Sequence, residues 1–187
     1  KIVVGISLGD VNGVGIEVVL KTFEDQRMLE FCTPVLFGSS KIISTHKKIL
    51  NIETSIHSIH SIDQIIHGKI NLLNSWKEDV KIEIGNATKT GGKYAFKSLD
   101  EATKALKEEK IDVLVTAPIN KETIQSDEFN FSGHTEFLGQ KDGDTKGLMF
   151  MISEKLKVGV VTGHIPLKEV ASAMEVWPKL WSFCKTK

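Results

Sequence analysis

The chain opens on Ile2-Val3-Val4-Gly5-Ile6-Ser7-Leu8, an apolar, β-branched run, and passes through the glycine-rich stretch Gly9 to Gly15 into Ile16, Val19, Leu20 and Phe23. The run reads as a buried strand. The four apolar residues, spaced i, i+3, i+4 and i+7, read as a helix with one apolar stripe. A strand, a glycine-rich loop and a covering helix commit the chain to a layered α/β architecture. The pattern then repeats. Thr33 to Gly38 predicts a strand, Ile42, Ile43 and Ile49 a helix, and the stretch Ile52 to Leu73 several short β-branched runs. Thr90-Gly91-Gly92 reads as a break before a helix carrying Ala95, Leu99, Ala102 and Leu106, and Ile111 to Val115 as a strand. Gly147 to Ile152 and Lys157 to Val161, joined by Ser153-Glu154-Lys155, predict a hairpin. The expected fold is α/β, a mostly parallel sheet flanked by helices, in a single α/β unit without repeats or low-complexity linkers.

Composition narrows the function classes. Among 187 residues, Lys plus Arg and Asp plus Glu number 24 each, leaving no net charge to hold a nucleic-acid backbone or an anionic membrane. No apolar run approaches the roughly 18 residues that span a bilayer, and the opening strand does not resemble a signal peptide, so the expected location is cytoplasmic. Cys32 and Cys184 lack metal-type spacing and read as packing residues of a reducing compartment.

Four segments carry candidate chemistry. The loop Gly9 to Glu17 suggests an anion at a helix N-terminus, but Val18 stands where a dinucleotide fingerprint needs glycine, and Ile16-Glu17 where a P-loop needs Lys-Ser/Thr. A tight turn with Asp10 or Asn12 capping the helix is the plainer reading. Thr116-Ala117-Pro118-Ile119-Asn120-Lys121 follows a strand at the carboxyl end where open α/β sheets bind ligands. There Lys121 is placed to neutralise an anion, or is a solvated lysine in a helix's first turn. Ser132-Gly133-His134-Thr135-Glu136-Phe137 offers either a helix N-terminus to a phosphate or carboxylate, or a capping box built on Ser132 or Thr135. Val161-Thr162-Gly163-His164-Ile165-Pro166-Leu167 fixes His164 at a strand end, a rigid ligand position that a metal site would have to share with two or more further ligands. His46, His57, His60 and His67 lie in polar-apolar sequence without cysteine and read as surface residues.

Taken in order, these four segments resemble the signatures of the 4-hydroxythreonine-4-phosphate dehydrogenase family of pyridoxal phosphate biosynthesis. The resemblance implies an isocitrate/isopropylmalate dehydrogenase-like fold, and substrate contacts from His134 and Thr135. It makes His164 a ligand of a divalent cation (zinc, magnesium or cobalt). The implied reaction is NAD-dependent oxidation and decarboxylation of 4-phosphooxy-L-threonine to 3-amino-2-oxopropyl phosphate by a homodimer. The partner is thus a small phosphorylated substrate, with no nucleic acid and no membrane. Family members are much longer and hold two further metal histidines, other substrate contacts and nicotinamide-binding residues in a C-terminal half. On that reading residues 1–187 are the N-terminal portion of a two-lobed dehydrogenase, apparently truncated and inactive alone. Resemblance runs from Lys1 to about Met174, after which Glu175 to Cys184 departs from the pattern. Two alternatives accompany this expectation: a dehydrogenase of another four-carbon phosphorylated hydroxy acid, and a non-catalytic phosphate-binding or assembly fragment.

Overall fold

The computed structural model describes residues 1–143, 149–162 and 165–175, which fall into two compact units, residues 1–143 and residues 144–187. In the first unit, β1 (Ile2–Ser7), β2 (Cys32–Gly38), β3 (Ile56–Ile59), β4 (Ile70–Asn74) and β5 (Val113–Thr116) form one parallel sheet in the order β3-β4-β2-β1-β5. Helices α1 (Gly15–Thr22), α2 (Met28–Phe31), α3 (Ser40–Leu50) and α4 (Lys89–Lys107) run between strands, and α5 (His134–Lys141) closes the unit.

Both faces of the sheet are covered, as parallel strands require. Ile6, Leu36, Ile70 and Leu72 pack with Ile16 and Leu20 of α1 and Ile42 and Ile43 of α3. Val35, Phe37 and Ile59 pack instead with Ala102 and Ala105 of α4. A third cluster joins Ala95 and Leu99 of α4 to Ile124, Phe129 and Phe137. Here four phenylalanine rings meet, with Phe129 and Phe137 centroids 5.4 Å apart and Phe96 edge-on to both. Rings in such geometry add about 0.5–1.5 kcal/mol per pair to the area they bury. The cluster fixes the irregular segment 117–133 and the start of α5 against the domain.

The second unit contains the expected hairpin, β6 (Met149–Ile152) antiparallel to β7 (Lys157–Val160), with Phe150 opposite Gly159. A 3₁₀ turn at Leu167–Glu169 leads into α6 (Val170–Glu175). His164 and residues 176–187 lie outside the described residues.

Three local expectations differ from the structure. Thr90-Gly91-Gly92 does not break the chain, since α4 already begins at Lys89, capped by Thr88, whose hydroxyl accepts from the Gly91 N–H at 3.0 Å. The glycines serve close packing: a Cβ on Gly92 would run into the Thr123 carbonyl, and one on Gly91 would lie 2.5 Å from Asp10 Oδ1. His46 is not a surface residue; it is 2% exposed, its Nε2 paired with the Val11 carbonyl at 2.8 Å. His57 is half-buried, and His60 and His67 are exposed, as surface residues should be. Finally, neither Asp10 nor Asn12 caps α1, whose N-cap is Val14, and neither Ser132 nor Thr135 caps α5, whose N-cap is Gly133.

Candidate functional site

The site begins where β1 and β5 end. Ser7 pairs with Thr116 in parallel register, so the loops that follow leave the sheet side by side. The Asp10 N–H donates to the Pro118 carbonyl at 3.0 Å, and the Ala117 N–H to the Ser7 carbonyl at 3.0 Å. Gly9 makes this approach possible: its φ is +68°, and a side chain there would collide with the Pro118 carbonyl.

Asn12 is the knot of this region, 2% exposed and fully bonded. Its Nδ2 donates to the Asn86 carbonyl at 3.1 Å and to Thr88 Oγ1 at 2.9 Å, while its Oδ1 accepts from the Glu83 N–H at 2.8 Å. Its backbone carbonyl accepts from the Gly85 N–H at 2.9 Å, and its own N–H donates to Asp10 Oδ1 at 2.9 Å. One side chain thereby ties the irregular strap 83–88 to the glycine loop. A cleft of about 270 Å³ remains between them, lined by Asp10, Val14, Asn86, Pro118, Ile119 and Asn120 among others. His46 steadies the same loop from α3 through the Val11 carbonyl.

Next to the cleft, Asn120 Oδ1 accepts from the Glu122 and Thr123 N–H groups, both at 3.0 Å. That local turn places Lys121 in a loop, not in a helix's first turn as the solvated-lysine reading expected. Lys121 lies over the start of α5, since a Cβ on Gly133 would sit 3.7 Å from its Cε and 4.0 Å from its Nζ. The ammonium makes no ion pair among the described residues and is exposed. His134 opens α5 half-buried, with Nε2 shielded from solvent and unpartnered, and Thr135 beside it is exposed. Burial first, and the Lys121 charge second, push the His134 imidazole below its ordinary 6.5. Three groups able to meet an anion, the Lys121 ammonium, the imidazole and the first N–H groups of α5, thus gather at one sheet edge.

Of the residues expected from sequence, the structure brings His134, Thr135 and Lys121 together; His164 is not described. Among the described residues no group of three or more His, Cys, Asp or Glu side chains is placed to hold a metal ion. The described residues alone therefore do not make up a divalent-cation site. Sequence reasoning missed the Asn12 knot and the phenylalanine cluster; the second had a visible trace in the alternate aromatics Phe129 and Phe131, with Phe137 six residues on, in an otherwise polar stretch. Among the described residues no helix is long and apolar enough to cross a membrane.

Residues 30–178 match the family described as "Pyridoxal phosphate biosynthetic protein PdxA". The 4-hydroxythreonine-4-phosphate dehydrogenase of Bacteroides thetaiotaomicron is 41% identical over 175 residues, 93% of this chain and 48% of that protein. That of a Sulfurihydrogenibium species is 35% identical over 169 residues, 89% of this chain and 51% of that protein. The chain thus spans about half the length of these curated relatives. A crystal structure of a 4-hydroxythreonine-4-phosphate dehydrogenase from Burkholderia phymatum superposes with a TM-score of 0.80 at 27% identity, covering 92% of this chain and 56% of that one. The isocitrate/isopropylmalate dehydrogenase-like fold expected from the sequence is the fold this chain adopts.

Proposed function

Because the chain belongs to the family of pyridoxal phosphate biosynthetic protein PdxA, we propose that it supplies the N-terminal, substrate-binding portion of a two-lobed NAD-dependent dehydrogenase. That enzyme oxidises and decarboxylates 4-phosphooxy-L-threonine to 3-amino-2-oxopropyl phosphate in pyridoxine 5'-phosphate biosynthesis. The observation that carries this reading is the convergence of Lys121, His134 and Thr135 at the start of α5, in a chain whose named relatives act on a phosphorylated substrate.

In this reading the substrate's anionic end sits against the α5 N-terminus. The Thr135 hydroxyl donates to it, Lys121 offsets its charge, and the half-buried His134 imidazole lies beside it. Such remote contacts hold the reacting carbon in place, which is how binding energy away from the chemistry lowers a barrier. NAD, when bound, accepts the hydride from the C3 hydroxyl carbon. In the same reading His164 would hold a divalent cation together with residues of the longer protein. The working unit is a homodimer in the cytoplasm.

The test is absorbance at 340 nm with NAD, a divalent cation and 4-phosphooxy-L-threonine, run beside a native mass measurement. A protein of the family's full length carrying this half forms NADH as a dimer, while residues 1–187 alone form none. Turnover by the 187-residue chain alone would show that it holds a complete site and overturn this division. Faster oxidation of a four-carbon phosphorylated hydroxy acid lacking the amino group would assign the alternative substrate.

A further inference from the structure

Asn12 is followed by Gly13, the one Asn-Gly pair in the sequence. In such a pair the glycine nitrogen reaches the asparagine side-chain carbonyl carbon with least hindrance, because no Cβ stands beside it and the backbone turns freely. Neither packing nor backbone conformation requires glycine at this position. Gly13 has no positive φ, and a Cβ on it would lie 3.4 Å from the Asp10 carbonyl oxygen and 3.5 Å from Asp10 Cβ, ordinary contact distances. At Gly9 and Gly15, by contrast, a Cβ would run into the carbonyls of Pro118 and Leu8. The fold restrains the pair. Asn12 is 2% exposed, its side chain is bonded to Glu83, Asn86 and Thr88, and the Gly13 N–H donates to the Asp10 carbonyl at 3.0 Å. Every one of those side-chain bonds runs to the strap 83–88, so the carboxamide is freed only when the strap lifts.

We propose that Asn12-Gly13 is a self-modification site gated by the strap 83–88, and that its conversion to aspartate or isoaspartate releases the strap irreversibly. With the strap lifted, the Gly13 amide gives its proton to hydroxide and its nitrogen attacks Asn12 Cγ. The new N–Cγ bond closes a cyclic imide, the Cγ–Nδ2 bond breaks, and Nδ2 takes a proton from water and leaves as ammonia. Water then opens the imide at either carbonyl, giving aspartate or its backbone-shifted isomer; nothing is oxidised or reduced. Either product puts a carboxylate where a two-proton donor stood. It has no proton for the Asn86 carbonyl, and it adds a second negative charge beside the Asp10 carboxylate, whose Oδ1 lies 2.9 Å from the Asn12 backbone nitrogen. Because the strap contributes Gly85, Asn86 and Ala87 to the cleft, its release removes one wall of that cleft. The inference stands on the bonds of Asn12, whatever ligand the cleft receives.

The test follows the peptide carrying Asn12 by mass spectrometry in the 187-residue chain at mildly alkaline pH, folded and in urea above its unfolding midpoint. Gly13→Ala and Asn12→Asp are run alongside. The unfolded chain is expected to convert, and the folded chain to convert at least about tenfold more slowly, because reaction waits on the open population. Gly13→Ala, matched to the wild type in melting temperature, is expected to lose most of the conversion in urea. Asn12→Asp is expected to lose hydrogen-exchange protection at the Glu83 and Gly85 amides while β1 and β2 stay protected. If that variant does not fold, the same amides are read in partly converted wild-type protein, its more acidic species separated by ion exchange. Equal rates in the folded and unfolded chain, no conversion in urea, undiminished conversion in Gly13→Ala, or protected Glu83 and Gly85 amides in the converted protein would each overturn the proposal.

Discussion

Asn12 shows how much one buried side chain can organise. Truncating it leaves the Glu83 N–H, the Asn86 carbonyl and the Thr88 hydroxyl short of a partner, each in a partly buried setting. Asn12→Ala should therefore cost about 2–4 kcal/mol in denaturant unfolding and broaden the amide signals of 83–88. A loss under 0.5 kcal/mol would show that the strap holds without it. The histidines make a pH prediction. Burial holds both His46 and His134 below 6.5, so each binds fewer protons folded than unfolded. Their contribution is complete above about pH 6.5 and is lost as pH falls from there toward the folded-state values. Thermal unfolding followed from about pH 7 down to pH 5.5 should show this decline, and His46→Gln, which can still donate to the Val11 carbonyl, should flatten it. Lys121→Gln should move the His134 titration upward by NMR without restoring 6.5, because burial is the larger cause. The burial of His46 was not legible beforehand. It depends on a carbonyl 35 residues earlier in sequence, which no local pattern of Ile, Ser and Lys around His46 announces.

The elements were legible wherever apolar spacing decides the structure. The strand at Ile2–Ser7 and the stripe of Ile16, Val19 and Leu20 appear where the pattern predicts them, as do α3 and the hairpin of β6 and β7. Punctuation by glycine was misread, because Gly91 and Gly92 answer to a tertiary contact and not to the backbone's local preference. This separates two outcomes for Gly92→Ala. Helix propensity alone predicts a gain of about 1 kcal/mol. The collision with the Thr123 carbonyl instead predicts a loss of at least about 1–3 kcal/mol, read by urea unfolding. The segment 117–133 likewise carries no periodic signal, and its order comes from ring packing. Phe137→Ala should cost about 3–5 kcal/mol and release the start of α5, seen as faster amide exchange at His134 and Thr135.

At the scale of the molecule, fold class followed from alternating apolar strands and helices, and family membership from four short segments in order. The candidate site was only partly legible. His134, Thr135 and Lys121 stand out by residue type, whereas their convergence depends on parallel register between β1 and β5 and on the aromatic cluster. The cleft left no local signature, since Asp10, Asn86 and Asn120 are far apart in sequence and ordinary as loop residues. In the proposed function, this sheet edge binds the phosphorylated end of the substrate. The most direct measurement is a titration of the ¹⁵N-labelled chain with 4-phosphooxy-L-threonine, with Lys121→Ala alongside. Saturable shifts at Lys121, Gly133, His134 and Thr135, with affinity reduced roughly tenfold in the variant, are the predicted result. A substrate that shifts none of these residues, or binds the variant equally well, would contradict it.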